Sequence, residues 1–390
     1  MQMSSPLLSR AAGCLPTSVL PGLAARIAQH QGELIPLHIG DTYLAPPVFP
    51  DRLDLHDPTL YRYGKIAGHE PLVRALAERL ARRAGYPGGD CIQLSAGATH
   101  AICSAARVTL EPGDEALVAA PYWPLTTGMI SACGATPVEV PLTEELLRHP
   151  GRDVREILAP YLTPRTRALY LTTPNNPDGK VLSRAQLEGI AEIAVQRDLW
   201  VLSDEVYEHY TYDAPHVPVA SLPGMCERTL TCFSFSKSHG LAGLRIGYLL
   251  GPPAAIAAVR AMHFHTLYAV PLLVQKLALL ALEEGDAWLA RARTEYRSTR
   301  DAVAEVLRDS PVPVPTPEGG SYFFLDLAPL LQDRPLMPLL ERLLERSVSV
   351  APGSSFGREF GRRVRLCFTA APKARVVEGT GRLVELLRTL

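Results

Sequence analysis

Between residues 116 and 250 the chain alternates short apolar runs with stretches of helical spacing, and that alternation restricts its possible folds more than any other feature. The runs are Ala116–Ala119, Ala168–Leu171, Trp200–Leu202, Thr229–Phe233 and Ile246–Leu250, with helical stretches such as 182–197 between them. Strands that alternate with helices in this way are wound into an α/β sheet by crossover connections. The pattern therefore predicts a mostly parallel central sheet flanked by helices.

The two ends of the chain read differently. Leu20, Leu23, Ile27 and Leu34 stand at near-helical spacing and predict an amphipathic N-terminal helix leading into an extended Leu37-His-Ile-Gly-Asp41. A Pro-rich loop at 46–50 follows, and Leu72, Leu76 and Leu80 predict a helix from His69 that Gly85 would end. Near residue 284 the character changes to a long charged helical segment reaching about residue 309. Beyond it lie Tyr322–Leu327, an amphipathic stretch at 335–346, Val348–Val350, Val364–Phe368 and a closing helix at 373–389, an order that suggests a compact α+β unit. At 390 residues the chain is long for one core. We expect an N-terminal segment, 1–45, packed with the small domain, a large domain, 46–283, that holds the central sheet, and a small C-terminal domain, 284–390.

Composition serves mainly to exclude. A hydrophobic fraction of 47%, a charged fraction of 20% and a formal net charge of −1 describe a soluble globular protein without the basic excess that nucleic-acid binding uses. No run approaches the roughly 20 apolar residues needed to span a bilayer. Arg10 interrupts the early apolar stretch, so no signal peptide is expected. The seven cysteines, at 14, 91, 103, 133, 226, 232 and 367, are odd in number and lack metal-ligand spacing, which predicts reduced thiols and a cytoplasmic location. His263 and His265 have no Cys or carboxylate at ligand spacing, so no metal site is expected.

Chemistry concentrates around Lys237, one of only five lysines. Ser234 and Ser236 precede it and Arg245 follows eight residues later, so hydroxyls and a guanidinium suited to a phosphate accompany a reactive amine. That combination suits pyridoxal 5′-phosphate, whose aldehyde forms a Schiff base with lysine. A surface lysine in a Ser/Gly loop is the plain alternative. Leu94-Ser-Ala-Gly-Ala-Thr-His-Ala101 reads as a strand end, a small-residue turn and a helix start, a geometry whose free N–H groups at Gly97, Ala98 and Thr99 would cradle the phosphate. Asp204 follows the apolar strand Leu199–Leu202, at the end where open α/β sheets bind ligands. Its carboxylate would keep the pyridine nitrogen protonated.

With these go Tyr63-Gly-Lys-Ile-Ala-Gly68, Pro121-Tyr-Trp-Pro124, Thr173-Pro-Asn-Asn-Pro-Asp-Gly179, Ser203-Asp-Glu-Val-Tyr207, Pro317-Glu-Gly-Gly-Ser-Tyr322, Ala351-Pro-Gly-Ser-Ser-Phe-Gly357 and Arg365-Leu-Cys-Phe368. In this order and spacing the chain resembles, over nearly its whole length, the fold-type I pyridoxal-phosphate enzymes of the class I/II aminotransferase branch. The resemblance implies a Lys237 Schiff base, Lys237 as proton shuttle, Trp123 stacked on the pyridine ring, and Tyr207 and Asn175 bonded to its phenolic oxygen. It also implies an Arg365 clamp on the substrate α-carboxylate, close substrate approach at Gly40 and Asn175, and Tyr63 reaching the phosphate of a neighbouring subunit in a homodimer.

Two stretches depart from the branch. Asp41-Thr-Tyr-Leu-Ala-Pro46 replaces a Glu-Pro-Asp-Phe type run, and Leu125-Thr-Thr127 lacks a second aromatic after Trp123. Both border the expected substrate side chain, so aspartate and 2-oxoglutarate are not assumed. Asp41 suits either an ordinary turn or a cationic side chain. The resemblance implies transamination between an L-amino acid and a 2-oxo acid. A lyase or cyclase reaction of an amino acid on the same cofactor, or a non-catalytic sensor, stays open, because motifs for the cofactor do not report which substrate bond breaks.

Overall fold

The computed structural model describes residues 9–390 apart from 14, 16, 17, 19, 21, 48, 49 and 85–87. Among the described residues, seven strands form the larger sheet: β1 (Ile92–Ser95), β2 (Glu115–Ala119), β3 (Thr136–Val140), β4 (Thr166–Thr172), β5 (Trp200–Asp204), β6 (Thr229–Ser234) and β7 (Gly247–Leu250). Their spatial order is β1-β7-β6-β5-β4-β2-β3. The pairs joining β3, β2, β4, β5 and β6 are parallel, and β7 runs antiparallel to both β6 and β1. The helix Arg184–Gln196 supplies the crossover between the parallel neighbours β4 and β5, and Gly97–Thr109 carries the chain across the sheet from β1 to β2.

Both faces of this sheet are dry, which is why its strands read as unbroken apolar runs. Ala116, Val118, Ala168 and Tyr170 enter one core cluster, whereas their neighbours Leu117, Ala119, Leu169 and Leu171 enter another on the opposite face. Edge strand β3 is partly exposed and carries Pro137, and it gives no such run in the sequence.

A second sheet contains β8 (Tyr322–Asp326), β9 (Ala351–Pro352) and β10 (Arg363–Cys367), in the antiparallel order β8-β10-β9. The helices Asp286–Leu307 and Lys373–Leu387 pack together beside it. The N-terminal segment joins this unit through a parallel bridge between Ile35 and Val348, and the Cys367 N–H donates to the Leu37 carbonyl at 2.8 Å.

Two sequence expectations are corrected here. The N-terminal helix spans only Ala24–Gln29; Gly32 takes φ +98° and Leu34 lies in extended chain beyond it, because the backbone there turns to pair with the small sheet. Val348–Val350 is not a strand: Val348 makes a single bridge, Ser347 takes φ +57°, and the pairing with β10 begins at Ala351. The helix from His69 appears as Glu70–Ala84, while Gly85 and part of the Pro-rich loop lie outside the described residues.

Register brings one edge of the large sheet into alignment. Ser95 and Ser234 both stand opposite Gly247, and Asp204 stands level with Cys232, so the ends of β1, β6 and β5 open on the same side. Gly247 is where the strands meet the turn after β1: a Cβ there would lie 2.6 Å from the Phe233 carbonyl oxygen and 3.0 Å from the Gly97 carbonyl carbon. Gly247→Ala should therefore destabilise the protein by about 1–3 kcal/mol through overpacking. Gly243→Ala, whose Cβ meets nothing within 4 Å, should stay within about 0.5 kcal/mol of wild type in the same denaturant titration.

Candidate active site

At that aligned edge lies a cavity of about 490 Å³, walled on one side by the ends of β5 and β6 and on the other by β8, β10 and the segment 38–40. Lys237 sits in the four-residue helix Phe235–Ser238 directly after β6. Ser234 caps that helix by accepting from the Ser236 N–H at 3.1 Å, which fixes the chain just before the lysine. The Lys237 ammonium donates to the Gly40 carbonyl, so the amine bridges the large sheet and the N-terminal segment. Burial lowers its pKa; the Asp41 carboxylate opposes that effect, while Arg365 and Arg245 reinforce it.

The serine hydroxyls, Ala98, Thr99 and Arg245 line one end of the cavity. Gly97 begins a 13-residue helix at φ +77°, and a Cβ on it would come within 2.7 Å of the Arg245 guanidinium. Only glycine leaves that approach open. A helix N-terminus, two hydroxyls and a guanidinium facing one space form a donor set suited to a phosphate.

Asp204 closes β5 and is 4% exposed. Its carboxylate accepts from the Tyr170 hydroxyl at 3.1 Å and the Val206 N–H at 3.3 Å. Burial, the larger influence, raises its pKa to about 6 against these two hydrogen bonds, and nearby Glu205 adds to the rise. A carboxylate held this way gains most from a cationic ring nitrogen, and pyridoxal 5′-phosphate presents one. The donor set at one end and the acid at the other therefore fit that cofactor.

Arg365, on β10, is 7% exposed. Its guanidinium donates to Asn176 Oδ1 at 3.0 Å and to the His38 carbonyl at 2.8 Å, and lies 4.2 Å from the Tyr322 ring centroid and 4.9 Å from that of Phe356. Its buried Nε has no partner among the described residues, and the residue lines the cavity, where its guanidinium is suited to a carboxylate. Tyr207 and Tyr322 share a 2.6 Å hydroxyl hydrogen bond, and burial holds both phenols above their ordinary pKa. Trp123 and Gly40 also face the space, and a Cβ on Gly40 would strike the Tyr322 hydroxyl.

Two predicted residues lie elsewhere. Asn175 does not line the cavity: its amide donates to the Pro121 carbonyl at 3.0 Å and to Asp178 Oδ1 at 2.9 Å, closing the turn it belongs to. Asn176 faces the cavity instead. Asn176 lies within the same turn and its Oδ1 accepts from Arg365. Tyr63 is 91% exposed, outside the cavity of its own chain, with its ring 5.2 Å from that of Tyr268. Sequence reasoning also missed His38, whose ring bonds Ser349 at 2.6 Å and whose pKa burial lowers to about 4, so the imidazole is neutral at the cavity wall. Among the described residues no cluster of metal ligands occurs, and His263 instead bonds Ser104 at 2.9 Å.

The profile of the family Aminotransferase class I and II matches residues 36–380. Arginine–pyruvate transaminase AruH of Pseudomonas aeruginosa is 37% identical over 347 residues, 88% of this chain and 87% of that protein. A probable N-succinyldiaminopimelate aminotransferase DapC of Mycobacterium tuberculosis is 38% identical over 272 residues, 68% of this chain and 67% of its own. Aspartate aminotransferase from Thermus thermophilus, solved with maleate, superposes with a TM-score of 0.88 at 28% identity, covering 98% of this chain and all of that one.

Asp204 yields a pH-dependent test on the cofactor-free chain. Because its folded pKa of about 6 stands above the ordinary 3.8, the ionised form carries a penalty that appears as pH rises through this interval and is complete above it. The interval corresponds to about 3 kcal/mol. Asp204→Asn should therefore unfold at higher denaturant than wild type at pH 7.5, by on the order of 2–3 kcal/mol, with the gap closing toward pH 4. A variant less stable than wild type at pH 7.5 would contradict this account.

Proposed function

The chain belongs to the aminotransferase class I and II family, and from that premise we propose how its own residues divide the work of moving an amino group between an L-amino acid and a 2-oxo acid. It is a pyridoxal 5′-phosphate-dependent transferase. When bound, the cofactor supplies a carbonyl carbon that takes up the amino group and a ring that accepts the electron pair released at the substrate Cα. Lys237 is the lysine that holds it, with Ser234, Ser236, Arg245 and the N–H groups of Gly97, Ala98 and Thr99 on the phosphate, Asp204 on the ring nitrogen and Trp123 against the ring.

The observation that carries this reading is the meeting in one cavity of the Lys237 amine, its pKa lowered by burial, with the Arg365 guanidinium. A neutral Nζ can take the proton from a substrate Cα and return it elsewhere, the task of a general base and acid. Arg365 fixes the α-carboxylate and so orients the bond that Lys237 attacks. Tyr207 and Asn176, which bonds Arg365, take the roles beside the ring oxygen and the carboxylate that the motif alone gave to Tyr207 and Asn175. Tyr322 stacks on Arg365 and keeps that end of the cavity dry.

Three wider features belong to the same proposal. The two sheets and the Ile35–Val348 bridge support a division into 1–45, 46–283 and 284–390. Exposed Tyr61, Tyr63, Phe264 and Tyr268 support a homodimer in which Tyr63 reaches the phosphate in the neighbouring subunit. Seven cysteines scattered without metal-ligand spacing support a cytoplasmic location. The relatives' names point to arginine, aspartate and N-succinyldiaminopimelate, and they disagree with one another. Asp41 does not line the main cavity, and its carboxylate accepts from the Thr42 N–H at 2.8 Å, an arrangement that favours the ordinary turn.

Two experiments test the reading. An amino acid alone should release one equivalent of its oxo acid per active site, and a second oxo acid should reverse the change; ammonia release or a ring-closed product without oxo acid would assign elimination or cyclisation instead. Borohydride treatment should fix a pyridoxyl group on Lys237, and mapping to Lys65, Lys180, Lys276 or Lys373 would overturn the anchor. For the shared site, mixing inactive Tyr63→Phe and Lys237→Ala proteins under subunit exchange should restore activity, because each heterodimer regains one intact site. A fully active monomer would refute it.

A further inference from the structure

Arg365 shares its face of β10 with a second arginine. Arg363 precedes it by two residues, so both side chains leave the same side of the strand. Arg363 meets the Glu144 carboxylate with both arms of its guanidinium, each at 2.5 Å, and also donates to Asp326 Oδ2 at 3.0 Å. Glu144 is 8% exposed and stands on the helix Leu142–Arg148, which follows the edge strand β3 of the large sheet. A fork-to-fork pair of this kind fixes direction as well as distance. The neighbour of Glu144 braces the other side of the Arg365 contact. The Thr143 hydroxyl donates to Asp178 Oδ2 at 2.6 Å and Asp178 Oδ1 accepts from Asn175, so the turn that presents Asn176 to Arg365 is tied to the same helix. The two guanidiniums also share an aromatic cluster: Phe324 packs on Phe356 and Phe360, whose ring centroids lie 4.9 Å from Arg365 and 5.1 Å from Arg363 respectively.

We propose that Arg363 and Glu144 are positioning residues for the reaction: their ion pair seats β10 against the large unit and so sets where the Arg365 guanidinium meets a substrate α-carboxylate. The inference rests on the proposed reading of Arg365 as that clamp. Neither Arg363 nor Glu144 lines the cavity, so the pair acts through β10 and not on the substrate. Arg365 itself reaches the large unit through a neutral acceptor, Asn176 Oδ1, a weaker tie than a two-armed bond between opposite charges. The stronger contact, two residues away on a stiff strand, therefore decides where the weaker one falls. Every amino acid and every 2-oxo acid carries an α-carboxylate, so a displaced Arg365 weakens all of them alike, whatever their side chains.

The test uses the cofactor-loaded enzyme. Glu144→Gln leaves Asp326 beside Arg363 and should fold; it should lower kcat/KM for each amino acid and 2-oxo acid by at least about tenfold, chiefly through KM, as a misplaced binding group does. Calorimetry with the non-reacting acids 3-phenylpropionate and succinate should show the same loss for both, while the cofactor dissociation constant stays within about twofold of wild type, as for an independent site. Arg363→Lys keeps the charge, gives up the fork and should show the same uniform loss, which serves if Glu144→Gln does not fold. Arg148→Ala removes only the exposed second partner of Glu144 and should leave the kinetics within about twofold of wild type. The measure that separates positioning from stability is additivity. Arg365→Lys should raise KM, and adding Glu144→Gln to it should cost less than about twofold more, because the pair acts through Arg365. Wild-type KM in Glu144→Gln and Arg363→Lys, a loss that differs between substrates, an equal loss of cofactor affinity or full additivity with Arg365→Lys overturns the inference and leaves transamination standing. If Arg365→Lys leaves KM unchanged, the clamp itself fails and this inference fails with it.

Discussion

The Arg365 guanidinium is the junction on which the site depends. It stands on a strand of the small sheet, donates to the His38 carbonyl of the N-terminal segment and to Asn176 of the large unit, and is covered by the rings of Tyr322 and Phe356. A cation this deeply buried is unfavourable unless its donors are met and its charge is spread, and guanidinium, planar and weakly hydrated, tolerates such a place better than an ammonium. Two neutral carbonyl acceptors and two ring faces meet part of that need. Its Nε, buried as well, has no partner among the described residues. The contacts that tie three parts of the chain together thus also fix the guanidinium at the cavity wall.

Asp204 and Lys237 follow the same physics with opposite charge. Burial disfavours the charged form of each, raising the acid's pKa and lowering the amine's. Titratable groups strained in this direction mark sites where a ligand supplies the missing partner. The sheet makes this possible. Parallel register brings the end of β5 level with β6, and the antiparallel β7 returns Arg245 to the same edge beside Gly97. The charged groups are held by strand ends and a helix N-terminus rather than by loops alone, which fixes their separations.

How much could be read beforehand depended on whether a residue's surroundings are local. The doubly buried strands were legible because burial on both faces leaves a continuous apolar run, whereas β3, a half-exposed edge with a proline, was not. Lys237, Ser234, Ser236 and Arg245 were legible because they lie within one turn-and-hairpin segment. Asn175 was preferred over Asn176 because motif spacing cannot tell which of two adjacent amides faces inward; the hydrogen bonds of Asn175 to Pro121 and Asp178 decide it. His38 carried no local signal, since its neutrality comes from burial, reinforced by Arg365, and its ring is held by Ser349, both residues more than 300 positions away.

The sequence by itself determined the sheet class, the phosphate-binding turn, the lysine and the acid at the end of β5, because each is dictated by periodicity or by residues a few positions apart. Tertiary structure alone decided which asparagine faces the cavity, where the N-terminal helix stops and what the rest of the wall is made of. It did so because those outcomes rest on contacts between β10, the segment 35–40 and the large sheet, whose free energy depends on the meeting of distant surfaces and leaves no periodic trace in any one of them.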